Sequence, residues 1–384
     1  MVLILTLLAC IRPTDNYPVE LYDAGLQLDE VLEPATPHGG QIEYARMHFW
    51  GSNLGYGLTH IYGDPARADG QSLTIGSASL GYPPTVDYDR NSVFLSAGPP
   101  PKKGRDQCFT RMTAAPIAGP VEYVDVGDHI GLRGAGVDVR LDRDPAVHPR
   151  PAGESFYAGY GGLLKPAITE HDLLPLTWKP GANIEVSFPG TVAPVEATFG
   201  AIPYPLEKGT VKLPPSVDGL KVNGEVVRPP MHGEQDDEVR FAGPYAGPMD
   251  LTWTPSEAGT PLTVVVRYLG WGADADCDCT NECPAGFTCE FGACAFDDGS
   301  TWAPLGEVVC TVEDDGEFTL FYGDIQDLDT SVPLYLYAGA VLIVARIEEG
   351  ELEVPDAVSY TGDRVGLGPI RTRTIDAIYT RLDL

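Results

Sequence analysis

Basic residues are scarce in this chain: 25 Lys and Arg stand against 55 Asp and Glu, a net charge of −30. Such a surface repels phosphate backbones, and nucleic-acid binding needs the opposite footprint. An anionic membrane surface is repelled as well. Histidine is also rare. The seven (His38, His48, His60, His129, His148, His171 and His232) never fall at metal-ligand spacing, and no His-Glu-x-x-His is present. There is no Gly-x-Ser-x-Gly; Ser77-Ala78-Ser79-Leu80-Gly81 lacks the first glycine. No Gly-x-x-x-x-Gly-Lys-Ser/Thr loop exists, and no strand–helix alternation seats a dinucleotide. Long Ala/Leu/Glu/Lys blocks are missing, which argues against an α-helical body. No apolar run reaches the roughly 20 residues of a membrane-spanning helix.

What the chain does hold is apolar residues and punctuation. Hydrophobic residues make up 43%, too many for a disordered chain. Gly 44 and Pro 35 are both high. Pro and Gly break elements and set turns, so many short strands joined by loops are expected. Several stretches alternate with period two, the mark of a strand with one face in a core. They include Val121–Val126, Val137–Leu141 and Asn183–Phe188. Ser72–Ile75 and Ser92–Leu95 also read as strands. A second set follows at Gly219–Val227, Glu238–Phe241, Thr263–Leu269, Val308–Val312, Glu317–Tyr322, Leu334–Ala345 and Ala377–Leu382. Asp315-Gly316 between two such runs predicts a hairpin. The expected fold is therefore all-β: two β-sandwich-like domains, residues 41–205 and 206–384, with a small disulfide-rich insertion at 274–299. Length alone allows two domains or three.

The amino terminus has its own character. The apolar run Met1 to Ala9 ends at Cys10, and polar, acidic, turn-rich sequence follows. The junction Leu7-Leu8-Ala9-Cys10 resembles a bacterial lipoprotein signal. That resemblance implies removal of residues 1–9, acylation of Cys10, and a membrane partner reached through lipid. Ile11 follows Cys10 where an Asp would suggest inner-membrane retention, so the resemblance favours the outer membrane or cell surface. Residues 10–40 read as an acidic, Pro-containing tether, with a brief helical turn at Leu26–Leu32 and Gly39-Gly40 at its end.

Five cysteines, Cys277, Cys279, Cys283, Cys289 and Cys294, fall close together, and Cys310 follows. The part from Cys283 resembles the small Cys-Pro-x-Gly-x-x-Cys modules of secreted EGF-like proteins, over about twenty residues. So few apolar residues need cystines to hold them. Zinc is the competitor, but the segment has no His and Cys277 and Cys279 are one residue apart. With Cys10 acylated, seven cysteines remain, an odd number. Either six pair in one of 15 ways and Cys108 stays free, or Cys108 bridges to Cys310 or Cys277.

Asp274, Asp276 and Asp278 stand at alternate positions, as calcium ligands do. Cys279 and Ala285 occupy places where an EF-hand needs Gly and Glu, so calcium is left only a looser site against a solvated acidic loop. Trp50 and Tyr56 lie in a Gly-rich aromatic stretch that fits a ligand-stacking surface. Trp178 and Trp253 precede Pro-containing turns and fit core packing. The expected function is a non-catalytic structural or binding role for a lipid-anchored exported β protein of the bacterial envelope, with an envelope protein or glycan as partner and no cofactor. The alternatives are an exported polysaccharide hydrolase and a carbohydrate- or calcium-dependent adhesion module. A hydrolase would draw its two acids from different strands, so sequence adjacency does not address it.

Overall fold

The computed structural model describes residues 39–50, 72–82, 106–112, 120–143, 150–151, 157–161, 179–192, 198, 200–228, 240–245, 247–271, 287–290, 293–296, 302–331, 337–359 and 361–383. The expected signal, Cys10, the helical turn at Leu26–Leu32, the strand at Ser92–Leu95 and Trp178 lie outside them, as does the tether up to His38.

The all-β expectation holds. In the first half the strands are β1 (Gly40–Phe49), β2 (Ser72–Tyr82), β3 (Gln107–Met112), β4 (Pro120–Asp125), β5 (His129–Gly134) and β6 (Val137–Arg143). They continue with β7 (Arg150–Pro151), β8 (Tyr157–Gly161), β9 (Asn183–Phe188), β10 (Gly200–Ala201), β11 (Leu206–Lys212), β12 (Lys221–Val222) and β13 (Glu225–Val226). Then come β14 (Arg240–Ala242), β15 (Met249–Thr252), β16 (Leu262–Trp271), β17 (Phe287–Glu290), β18 (Ala293–Phe296), β19 (Trp302–Val312) and β20 (Glu317–Leu320). The helix α1 (Tyr322–Ser331) precedes β21 (Tyr337–Leu352), β22 (Ala357–Ser359), β23 (Arg364–Val365) and β24 (Ile370–Asp383).

A single hydrogen-bonded ladder forms the body. It runs β3–β19–β16–β21–β24 and continues β1–β2–β8–β6–β5–β9–β11. Every step is antiparallel except β24–β1, which is parallel from Gly40 opposite Ile370 to Phe49 opposite Tyr379. The ladder joins strands from both sides of residue 205. A separate four-stranded sheet runs β13-β12-β15-β20, and among the described residues β17 pairs only with β18.

Alternation works where one face meets water. In β6, Val137, Val139 and Leu141 are buried while Asp138 and Arg140 are exposed. In β9, Ile184, Val186 and Phe188 point inward and Asn183 and Glu185 outward. The middle of the ladder differs. Residues 372–380 of β24 are all buried, and so are residues 340–345 of β21. Central strands covered on both faces lose the two-residue signature.

Two hydrophobic clusters result. One gathers Leu80, Tyr123, Ile130, Leu141 and Val186; the other gathers Leu251, Val264, Val308, Leu320 and Val344. β21 and β24 serve both, with Leu352 and Ile370 in the first and Leu342 and Ile378 in the second. Trp253 packs in the second, as expected.

Two local expectations fail. The Asp315-Gly316 segment does not close a hairpin. β19 pairs with β16 and β3, whereas β20 pairs with β15 in the other sheet. The segment is a corner between sheets, fixed by the buried carboxylate of Asp314. Tyr322, expected to end a strand, instead opens α1. Asp324 Oδ2 accepts the Phe321 amide at 2.8 Å, and Phe321 O accepts the Asp324 amide at 2.9 Å. These bonds satisfy amides that the first turn leaves without helical partners. Ile325 and Leu328 then pack into the second cluster. Among the described residues no helix is long and apolar enough to cross a membrane.

Gly39-Gly40 has a packing role. A Cβ on Gly39 would sit 2.6 Å from Leu367 Cβ and backbone oxygen, and one on Gly40 would sit 2.6 Å from Ser79 O. Only glycine lets the chain enter β1 between these neighbours.

Candidate functional site

A buried polar cluster lies on strands that carry both hydrophobic clusters. Register brings three charged residues of neighbouring strands side by side: Arg46 of β1, Asp376 of β24 and Arg346 of β21. Arg46 Nε donates to Asp376 Oδ1 at 2.5 Å, and His48 Nε2 lies 3.5 Å from the same oxygen. Asp376 Oδ2 accepts the Val217 amide at 3.1 Å. Arg46 Nη2 donates to Ser216 Oγ at 2.8 Å, while Arg346 Nη1 donates to Ser216 O at 2.6 Å. Arg346 Nη2 reaches Thr254 O at 3.1 Å and Asp314 Oδ1 at 2.7 Å. Asp314 also accepts from Trp253 Nε1 at 2.8 Å and from the Ser256 amide at 2.7 Å and hydroxyl at 2.5 Å.

Both carboxylates are buried, and burial alone would push their pKa values up. For Asp376, hydrogen bonds from His48 and Arg46 and the charge of Arg46 outweigh burial and hold it down at about 2. For Asp314, the Ser256 hydroxyl and amide, the Trp253 indole and the Arg346 charge likewise win, and its pKa falls below the usual value. A general acid of a glycosidase needs a raised pKa. These two carboxylates move the other way, so each is a fixed anion and hydrogen-bond acceptor. The cluster acts as a clamp, pinning residues 216–217 and the Asp314 corner to the central strands.

Other buried charges follow the same rule. Arg373, fully buried, donates to Glu43 at 3.0 Å and lies 3.2 Å from Glu349. Arg267 pairs with Glu307 at 2.8 Å. Asp125 accepts from Arg143 at 2.8 Å and from the Gly127 amide at 2.8 Å. The Tyr157 hydroxyl donates to Gly127 O and accepts from the Val126 amide, each at 3.0 Å.

Cys108 and Cys310 form a cystine across 202 residues of sequence. They stand opposite each other on β3 and β19, with Cα atoms 4.0 Å apart, and Cys310 belongs to the second cluster. Cys289 and Cys294 face each other in register on β17 and β18. Cys277, Cys279, Cys283, Tyr56, Asp274, Asp276 and Asp278 lie outside the described residues. No group of three metal-ligating side chains occurs among the described residues. Trp50 is half-buried against the second cluster, with its ring 5.2 Å from that of His48. Its Nε1–H is buried without a hydrogen-bond partner among the described residues.

Sequence reading missed an aromatic group at the surface. Tyr245, Phe321 and Tyr322 are 42%, 56% and 37% exposed. The Tyr245 and Tyr322 rings lie 4.9 Å apart, and the Tyr245 hydroxyl is 3.1 Å from that of Tyr268. The signal was the Phe321-Tyr322 pair at a helix start, hidden inside an apolar-alternating run. Compared with known protein families, curated proteins and solved structures, the chain matches none.

Proposed function

We propose that this is an exported β protein of the bacterial cell envelope, anchored by lipid on Cys10, with a non-catalytic structural or binding role. The observation that carries the reading is the Cys108–Cys310 cystine. Disulfides persist in oxidising compartments and are rare in a reducing cytosol. A cystine built into the second hydrophobic cluster therefore supports export, and export supports the lipoprotein-like Leu7-Leu8-Ala9-Cys10 junction. The acidity supports lipid rather than basic side chains as the attachment. The carboxylates of the buried clamp, taken up by arginine, amide, indole and hydroxyl donors of the protein itself, support a scaffold role for this cluster.

For the binding role, the exposed Tyr245, Phe321 and Tyr322 favour a neutral glycan over an anionic one. Aromatic faces present an apolar body to stack on, and a net charge of −30 disfavours anions. Metabolic labelling with palmitate tests the anchor. Wild type takes up label and partitions with membranes; Cys10→Ser does neither. Equal labelling of both overturns the reading.

A further inference from the structure

We infer that Cys289 and Cys294 form a second cystine, closing the Cys-rich segment across β17 and β18. The placement rests on backbone register alone. Phe287 is opposite Phe296, Thr288 opposite Ala295, Cys289 opposite Cys294 and Glu290 opposite Ala293. Directly opposite residues of an antiparallel pair have Cα atoms roughly 4.5–5.5 Å apart, within the roughly 4.4–6.8 Å that a disulfide usually spans. The Cys108–Cys310 cystine sets the precedent within this chain, because its two residues are also register partners on adjacent antiparallel strands. Among the described residues β17 and β18 pair with no other strand, and an isolated two-stranded hairpin is marginal in water. A cross-link at its second rung supplies what this small unit cannot draw from a core.

The pairing rests on the reading of export, because it needs an oxidant. Two thiols give up two protons and two electrons to a protein disulfide of the oxidising compartment, which leaves as a dithiol. It also narrows the connectivity. With Cys108–Cys310 and Cys289–Cys294 assigned and Cys10 acylated, Cys277, Cys279 and Cys283 remain of the eight. One of these three carries the odd thiol, so three arrangements remain.

The test is a peptide mass map of the full chain, with free thiols alkylated in intact cells before lysis. Chymotrypsin and a glutamyl endoprotease cut after Phe287, Glu290, Phe291 and Phe296. The expected product is Thr288–Glu290 joined to Gly292–Phe296, separating only on reduction. Cys289→Ser should free Cys294, adding one alkyl group to Gly292–Phe296. The Cys108–Cys310 peptides report separately on the compartment. If they are joined while Cys289 and Cys294 are alkylated, or bonded to Cys277, Cys279 or Cys283, the pairing is wrong and export stands. If all four are alkylated thiols, both fall.

Discussion

Asp376 shows what a single residue does here. Its carboxylate is buried, yet it stays ionised because Arg46, His48 and the Val217 amide all point at it. Removing one partner of a buried ion pair leaves an uncompensated charge, at a cost of about 3–5 kcal/mol. Asp376→Ala is therefore expected to lower unfolding free energy by about that amount, read from the urea midpoint at unchanged slope. Replacing Arg46 and Asp376 together by apolar residues should cost less than either single change, because no stranded charge remains. The pH dependence has a fixed sign. The folded-state pKa of about 2 lies below the ordinary 3.8, so ionised Asp376 stabilises the fold above about pH 4. That contribution, about 2 kcal/mol, fades as the pH falls through about 2. Acid titration of the wild type against Asp376→Ala measures it, and parallel curves between pH 4 and 2 would refute it. Nothing in the sequence marked Asp376, because its partners come from residues 46, 48 and 217 and meet only through strand register.

At the scale of elements, legibility followed exposure. β6 and β9 alternate because one face meets water, and their expected and observed ranges nearly coincide. β24 was expected only from Ala377, although it begins at Ile370. Its first half reads Ile370-Arg371-Thr372-Arg373-Thr374, which looks like a solvated stretch. In the fold Thr372, Arg373 and Thr374 are buried; Glu43 accepts from Arg373 and Lys212 O accepts from Thr374, while the Thr372 hydroxyl has no hydrogen-bond partner among the described residues. The Asp315-Gly316 corner misled for a related reason: turn chemistry specifies a reversal but not which sheet the chain enters next. α1 was missed because two buried residues, Ile325 and Leu328, give too short a helical period. Its anchoring predicts that Leu328→Ala destabilises by about 2–5 kcal/mol. Asp324→Ala, which removes the bond to the Phe321 amide, should cost only about 0.5–2 kcal/mol. Thermal unfolding of both variants checks the order; a larger loss at Asp324 than at Leu328 would contradict the packing described.

Across the whole molecule, the central ladder and the cystine tie distant sequence together. β1 joins β24 in parallel, and β3 joins β19, where Cys108 meets Cys310. A cross-link between residues so far apart removes much freedom from the unfolded chain, and losing it typically costs about 2–5 kcal/mol. The Cys108→Ser, Cys310→Ser double variant should lose that much, and reductant should then leave its urea midpoint unaffected by way of this pair. The sequence offered this pairing as one choice among several, since cysteine counts carry no geometry. The all-β class was readable because turn residues and alternation are spread along the chain. The candidate binding surface was not: Tyr245 comes from one segment and Phe321-Tyr322 from another, and only folding sets two of the rings 4.9 Å apart. The export and anchoring of the molecule are tested most directly by the intact mass of the mature protein purified from membranes. The account predicts a chain beginning at Cys10 with the added mass of acyl groups. A chain that retains Met1 to Ala9 and carries an unmodified Cys10 would contradict it.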